Sequence, residues 1–87
     1  MKGLFNKVRN RSTRKRFVVS TIRKDDHLFE TAVFEATFLY FPKSLSRPVL
    51  LVETPSKDEA WALHYRLADR LAEEYPLKLF QEYSNKA

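Results

Sequence analysis

The sequence predicts a single α+β domain in which one helix packs on an antiparallel sheet of three or four strands. Three stretches rich in β-branched and aromatic residues precede one stretch with helical periodicity. This order gives the layout β-β-β-α, with an optional final strand. The chain of 87 residues is long enough for one domain only, and its 44% hydrophobic residues favour a folded core over disorder.

Residues 56–75 form the clearest predicted element, a helix. Ser56 and Glu59 have the spacing of a capping box, in which each side chain can satisfy the other residue's free backbone N–H. Pro76 ends the helix, because it has no N–H to donate and disfavours a helical conformation at the preceding residue. The apolar stripe at helical spacing comprises Ala60, Leu63, His64, Leu67, Leu71 and Tyr75.

Three strands are predicted before this helix, at residues 17–24, 28–41 and 49–54. The second also fits a helix, but its density of Thr, Val and aromatic residues favours a strand. Residues 77–83 could add an edge strand or lie as an extended tail, and residues 84–87 are expected to fray. The folded domain is therefore predicted to span residues 17–83.

Both faces of the predicted sheet are apolar, because the strands do not alternate cleanly between apolar and polar residues. One helix can cover only one face. The second face must be covered by the N-terminal segment, by another copy of the chain or by a different partner, since large exposed apolar patches are uncommon on monomers. We favour a homodimer through the sheet, with an interface formed by Phe29, Val33, Leu39 and Phe41.

Positive charge is concentrated at the N-terminus. Residues 1–16 contain seven basic and no acidic residues, whereas the rest of the chain has nine basic and eleven acidic residues. This segment is predicted to be a basic arm, either a short amphipathic helix or disordered. Its cations can neutralise nucleic-acid phosphates, and the residues expected to do so are Arg9, Arg11, Arg14, Lys15 and Arg16, with Lys2 and Lys7 secondary.

Signatures of enzymes, metals and cofactors are missing from the sequence. The chain has one glycine and no cysteine, and its two histidines lie far apart, which argues against a phosphate-binding loop and the usual zinc sites. His64 is expected to be a structural, half-buried residue, with a pH-sensitive or ligand-binding role as the alternative. We therefore predict no enzymatic activity, cofactor or metal. With no bilayer-spanning run, we expect no integral membrane association and a cytoplasmic location.

The leading functional hypothesis is a small non-enzymatic protein that binds DNA or RNA through phosphates contacted by the basic arm. Base stacking on the aromatic strand is a weaker possibility, because the glycine-containing motif of sheet-based RNA binders is absent and Phe29, Phe34 and Phe38 are expected in the core or interface. The competing hypothesis is a protein–protein adaptor or small regulatory subunit. It would use the second sheet face or the side of the helix that carries Trp61 and Tyr65.

Overall fold

A computed structural model describes residues 3–84 and shows a four-stranded antiparallel sheet followed by two helices. The elements are β1 (Leu4–Arg9), β2 (Arg16–Asp25), β3 (Leu28–Ala36), β4 (Leu50–Thr54), α1 (Lys57–Glu73) and α2 (Pro76–Ser84). Each strand pairs with the next along the chain, so the spatial order is β1-β2-β3-β4. The predicted α+β class is confirmed, but the fourth strand lies at the N-terminus and a second helix follows the first.

The core lies between the two helices and one face of the sheet. It is built from alternate residues of every strand together with leucines of both helices: Val8, Phe17, Val19, Val33, Leu50, Leu67, Leu71 and Leu79. The rings of Phe17 and Phe80 meet edge to face at 5.8 Å, which joins α2 to β2. Because side chains alternate along a strand, every second residue of the sheet must point away from these helices.

Helix α1 begins as predicted. The hydroxyl of the N-cap Ser56 accepts a hydrogen bond from the backbone N–H of Glu59 at 3.2 Å. The Glu59 carboxylate bonds the Ser56 hydroxyl at 2.9 Å and not the backbone N–H that a complete capping box would use. The helix ends at Glu73.

The prediction of an arm that is helical or disordered over residues 1–16 is wrong for the described part of the segment. Leu4–Arg9 is a strand that pairs with β2 along its whole length, from Leu4 opposite Thr21 to Arg9 opposite Arg16. Apolar residues at helical spacing also fit a strand here, because Val8 faces the core while its neighbours Lys7 and Arg9 face solvent. Met1 and Lys2 lie outside the described residues.

Residues 10–15 are a structured turn and not a flexible linker. Asn10 is fully buried, and its amide nitrogen donates to the backbone oxygens of Leu71 and Glu74, each at 2.6 Å. Its amide oxygen accepts from the backbone N–H groups of Ser12 and Thr13. One side chain therefore satisfies carbonyls at the C-terminus of α1 and also closes the β1–β2 turn.

Two further boundaries differ from the prediction. The strand predicted over residues 28–41 ends at Ala36, because the chain turns over residues 37–41, where Tyr40 adopts a left-handed conformation with φ of 64°. The predicted final strand at 77–83 is helix α2, since Pro76 provides a favourable first helical residue once α1 has ended. Arg70 links the two helices through ion pairs to Glu74 and Glu82 at 2.7 Å.

We predict that Asn10→Ala lowers the free energy of unfolding by about 2–4 kcal/mol, because it leaves several buried backbone groups without partners. Urea unfolding followed by circular dichroism measures this loss. Ser12→Ala is the matched control in the same turn, where the side chain is exposed and the expected change is below about 0.5 kcal/mol. Equal effects of the two substitutions would contradict the role given to Asn10.

Candidate nucleic-acid interface

The face of the sheet without helices, called the open face here, carries residues in transverse rows that the strand register defines. Arg9, Arg16 and Ala36 form the first row, followed by Lys7, Val18 and Phe34, then Phe5, Ser20, Ala32 and Leu51, and finally Ile22, Glu30 and Glu53. The open face therefore changes along the strands from cationic through apolar to anionic. The two glutamates lie at the end farthest from the β1–β2 turn.

Four cations lie at one end of the open face or in the turn beside it, called the cationic end here: Lys7, Arg9 and Arg16 on the strands, and Arg14 in the β1–β2 turn. Arg14 lines a cleft of about 440 Å³ with Arg9, Arg11 and two residues of α1, Ala72 and Glu73. It also has a left-handed backbone, with φ of 62°. Because glycine adopts this conformation more easily, an arginine there carries a conformational cost of about 1–2 kcal/mol.

Aromatic residues of the β3–β4 connection fold over the cationic end. The guanidinium carbon of Arg16 lies 5.4 Å from the ring centre of Phe38 and 5.7 Å from that of Tyr40. The ammonium nitrogen of Lys7 lies 5.9 Å from the Tyr40 ring centre. These distances allow cation–π attraction, so the rings and the charges form one surface. We call residues 37–41 the aromatic loop.

The apolar residues of the open face and the aromatic loop differ in their exposure to solvent. Val18 is fully buried although no helix lies on this face. Phe5 and Leu51 are 56% and 50% exposed, and Phe38 in the aromatic loop is 73% exposed. Phe38, which is expected in the core or an interface, is therefore not a core residue, whereas Phe29 is buried.

Arg11 and Lys15, which the sequence also predicts to contact nucleic acid, lie outside the cationic end. Arg11 forms an ion pair with Glu73 of α1 at 3.0 Å, with both side chains largely exposed. Lys15 lines a groove of about 430 Å³ beside α2 together with Glu35. A hydrogen bond from Lys43 at 2.7 Å, helped by the charge of Lys15, holds the pKa of Glu35 below its usual value. Arg11 and Lys15 therefore lie beside carboxylates. Arg9 and Arg14 line the same cleft as Glu73, but among the described residues neither forms an ion pair with it.

The four residues predicted to form a dimer interface do not share a surface. Phe29 and Val33 are buried on the helix-covered face, where Phe29 contacts the ring of Trp61 edge to face at 6.0 Å. Leu39 and Phe41 are 63% and 66% exposed in the aromatic loop. Phe29 and Val33 are thus unavailable to a second copy of the folded chain.

His64 is fully buried in a polar network on the helix-covered face. Its Nδ1 lies 2.7 Å from the Thr21 hydroxyl, which in turn lies 2.8 Å from the Thr31 hydroxyl. Its Nε2 lies 2.7 Å from the amide oxygen of Asn6 and donates to it. The structural role expected for His64 fits this placement, although the ring is fully buried and not half-buried, and its two partners are side chains of β1 and β2. Burial lowers the pKa of His64.

We predict that the free energy of unfolding decreases as the pH falls below about 6.5, the ordinary value for histidine. The unfolded chain binds a proton at His64 in this range while the folded chain resists it, so the loss is at most about 1.4 kcal/mol per pH unit. Urea unfolding at pH 7.5, 6.5 and 5.5 measures it. His64→Gln should be less stable but nearly independent of pH across this window; an unchanged pH dependence in that variant would contradict the assignment.

Sequence reasoning missed three residues of this region: Phe5, Tyr40 and Asn10. Phe5 and Lys7 alternate with core residues in β1, a period-2 signal that the density of charge obscured. The run Asn-x-Ser-Thr at residues 10–13 is typical of an Asx turn and could have indicated the β1–β2 connection. Nothing in the sequence marks Tyr40 as left-handed.

Comparison of the chain with protein-family models, curated proteins and solved structures found no match. Within residues 3–84, no group of three or more histidine, aspartate or glutamate side chains is arranged to hold a metal ion. Neither helix of this part of the chain is long and apolar enough to cross a membrane.

Proposed function

We propose that the protein is a small, cytoplasmic, non-enzymatic protein that binds nucleic acid through phosphates contacted by the cationic end of its open face. The observation that supports this proposal is the clustering of Lys7, Arg9, Arg14 and Arg16 at one end of the open face, away from the two glutamates at its other end. None of these four has a carboxylate within ion-pair distance among the described residues. Their charges are therefore available to an anionic partner.

The arrangement of these cations favours binding more than a disordered arm would. Lys7, Arg9 and Arg16 are held by paired strands, and Asn10 fixes the turn that carries Arg14. A preformed surface loses less conformational entropy on binding than a chain that must order. Each phosphate contact also releases condensed counterions, so binding should weaken steeply as salt rises.

Deletion of residues 1–16, which would leave a chain that begins at Phe17, does not test this proposal. It would delete β1, remove Val8 from the core and remove Asn10 from the C-terminus of α1. If such a chain did not bind nucleic acid, the cause would be unfolding and not the loss of its cations. Substitutions of exposed cations are therefore required.

We predict that the triple variant Lys7→Gln, Arg9→Gln, Arg14→Gln binds oligonucleotides and heparin more weakly than the natural sequence. The slope of log K against log salt should become shallower by about two to three, because three phosphate contacts are lost. Fluorescence anisotropy with labelled oligonucleotides between about 50 and 200 mM salt measures this slope.

The matched control removes the same charge from the helical side of the molecule through Lys57→Gln, Arg66→Gln and Lys78→Gln, all at exposed positions. It should retain the natural slope and nearly the natural affinity. If the two triple variants weaken binding equally, net charge alone is responsible and the proposed surface is wrong. If the natural sequence does not bind at low salt, the proposal fails entirely.

We also predict that Arg14→Gly raises the stability of the protein but lowers its affinity for oligonucleotides. Relief of the left-handed conformation should exceed the entropic cost of glycine, so the free energy of unfolding should rise by about 0.5–1 kcal/mol. Affinity for the oligonucleotide should nevertheless fall, because a cation is lost. Urea unfolding and anisotropy on the same sample measure both effects. If the variant is more stable and binds the oligonucleotide equally well, Arg14 is not part of the interface.

A second candidate function is protein–protein contact through the apolar middle of the open face, either as a homodimer or as an adaptor. It is supported by the exposure of Phe5 and Leu51, which lie in the same row across the sheet. Light scattering distinguishes the candidates. A dimer mass that Phe5→Ser and Leu51→Ser together convert to a monomer favours this function, and a monomer whose oligonucleotide binding survives both substitutions favours the first.

A further inference from the structure

We infer that the nucleic acid is single-stranded and that its bases stack on Phe38 and Tyr40 of the aromatic loop. This inference rests on the proposed function and specifies its ligand. The aromatic rings and the cations form a continuous surface, which offers a π-face for a base beside a positive charge for the adjoining phosphate. Single-stranded nucleic acid presents both groups together.

The exposed ring of Phe38 is the first observation that supports base stacking on the aromatic loop. Its side chain is 73% exposed, so it contributes little buried area to the fold. The guanidinium carbon of Arg16 lies 5.4 Å from the centre of its ring. An apolar ring in this position is available for stacking, and the guanidinium beside it is within reach of a phosphate.

The left-handed backbone conformation of Tyr40 is the second observation that supports it. A left-handed conformation is costly for a bulky residue, and the corresponding position of a hairpin loop usually carries Gly or Asn. The hydrogen bonds that close the loop, from the N–H of Tyr40 to the oxygen of Thr37 and from the N–H of Thr37 to the oxygen of Phe41, hold it there. The ring is thereby placed against Lys7 and Arg16. Strain that is retained to position a side chain is typical of functional sites.

A duplex offers the aromatic loop fewer contacts than a single strand does. In a duplex the bases are stacked inside the helix, so Phe38 and Tyr40 on its outside would meet sugars and phosphates and not the faces of bases. A single strand leaves its bases free to stack on aromatic side chains.

Charge alone would predict the opposite preference. A duplex has the higher charge density and the steeper dependence on salt, so a purely electrostatic surface should bind it more tightly. A preference for single strands therefore has to come from stacking. This difference makes the two contributions separable by experiment.

The test measures anisotropy of a labelled single strand of about 10 nucleotides and of its duplex at one salt concentration. We expect the full chain to bind the single strand more tightly. Phe38→Leu should lower the single-strand affinity by about 5- to 100-fold with little effect on the duplex, since stacking is lost and charge is kept. Phe38→Tyr keeps a ring and should retain the affinity.

Two further variants keep the result interpretable. Tyr40→Asn removes the ring with a residue that tolerates the left-handed conformation, so it should fold and bind the single strand more weakly. Tyr65→Leu removes a half-exposed ring from α1, on the opposite side of the molecule, and should have no effect on binding. Circular dichroism confirms that each variant is folded.

The outcomes separate the inference from the proposed function. If single strand and duplex bind equally and the cationic triple variant weakens both, while Phe38→Leu weakens neither, the inference is overturned and the proposed function stands. If neither oligonucleotide binds, both are overturned. If Phe38→Leu and Tyr65→Leu weaken single-strand binding alike, stacking on the aromatic loop is also excluded.

Discussion

The buried amide of Asn10 is the contact on which the arrangement of the whole molecule depends. Its nitrogen joins the end of β1 to two carbonyls at the end of α1, and its oxygen closes the turn into β2. Such carbonyls and N–H groups would otherwise be buried without partners at a cost of about 1–3 kcal/mol each. The same side chain therefore attaches the helical layer to the sheet and holds the turn that carries Arg11, Arg14 and Lys15.

Local signals predicted the centre of the fold well because they act over a few residues. The Ser56 cap, the apolar stripe of α1 and the β-branched runs each depend on neighbours in sequence. The N-terminal strand was missed because the cationic residues of β1 sit on its solvent side, where charge and strand formation are compatible. Pro76 was interpreted only as the end of one helix, although proline at a first helical position equally begins another.

The cationic part of the candidate surface could be predicted from composition, whereas its geometry could not. Sequence placed Arg9, Arg14 and Arg16 in one segment, but only the register shows that Arg9 and Arg16 lie opposite each other on the open face. The aromatic contribution was hidden for a different reason. Phe38 and Tyr40 continue the pattern of a strand, and nothing local indicates that the chain leaves the sheet after Ala36.

The two left-handed residues with side chains, Arg14 and Tyr40, lie in connections that leave the same end of the sheet, since Arg16 pairs with Ala36. A chain selected only for stability would tend to carry glycine or asparagine at both positions. Each carries a conformational cost of about 1–2 kcal/mol, and Tyr40 places its ring beside Lys7 and Arg16 at that end. In a small domain, whose total stability is about 5–15 kcal/mol, two costs of this size at one end of the sheet support the proposal that this end is the binding surface.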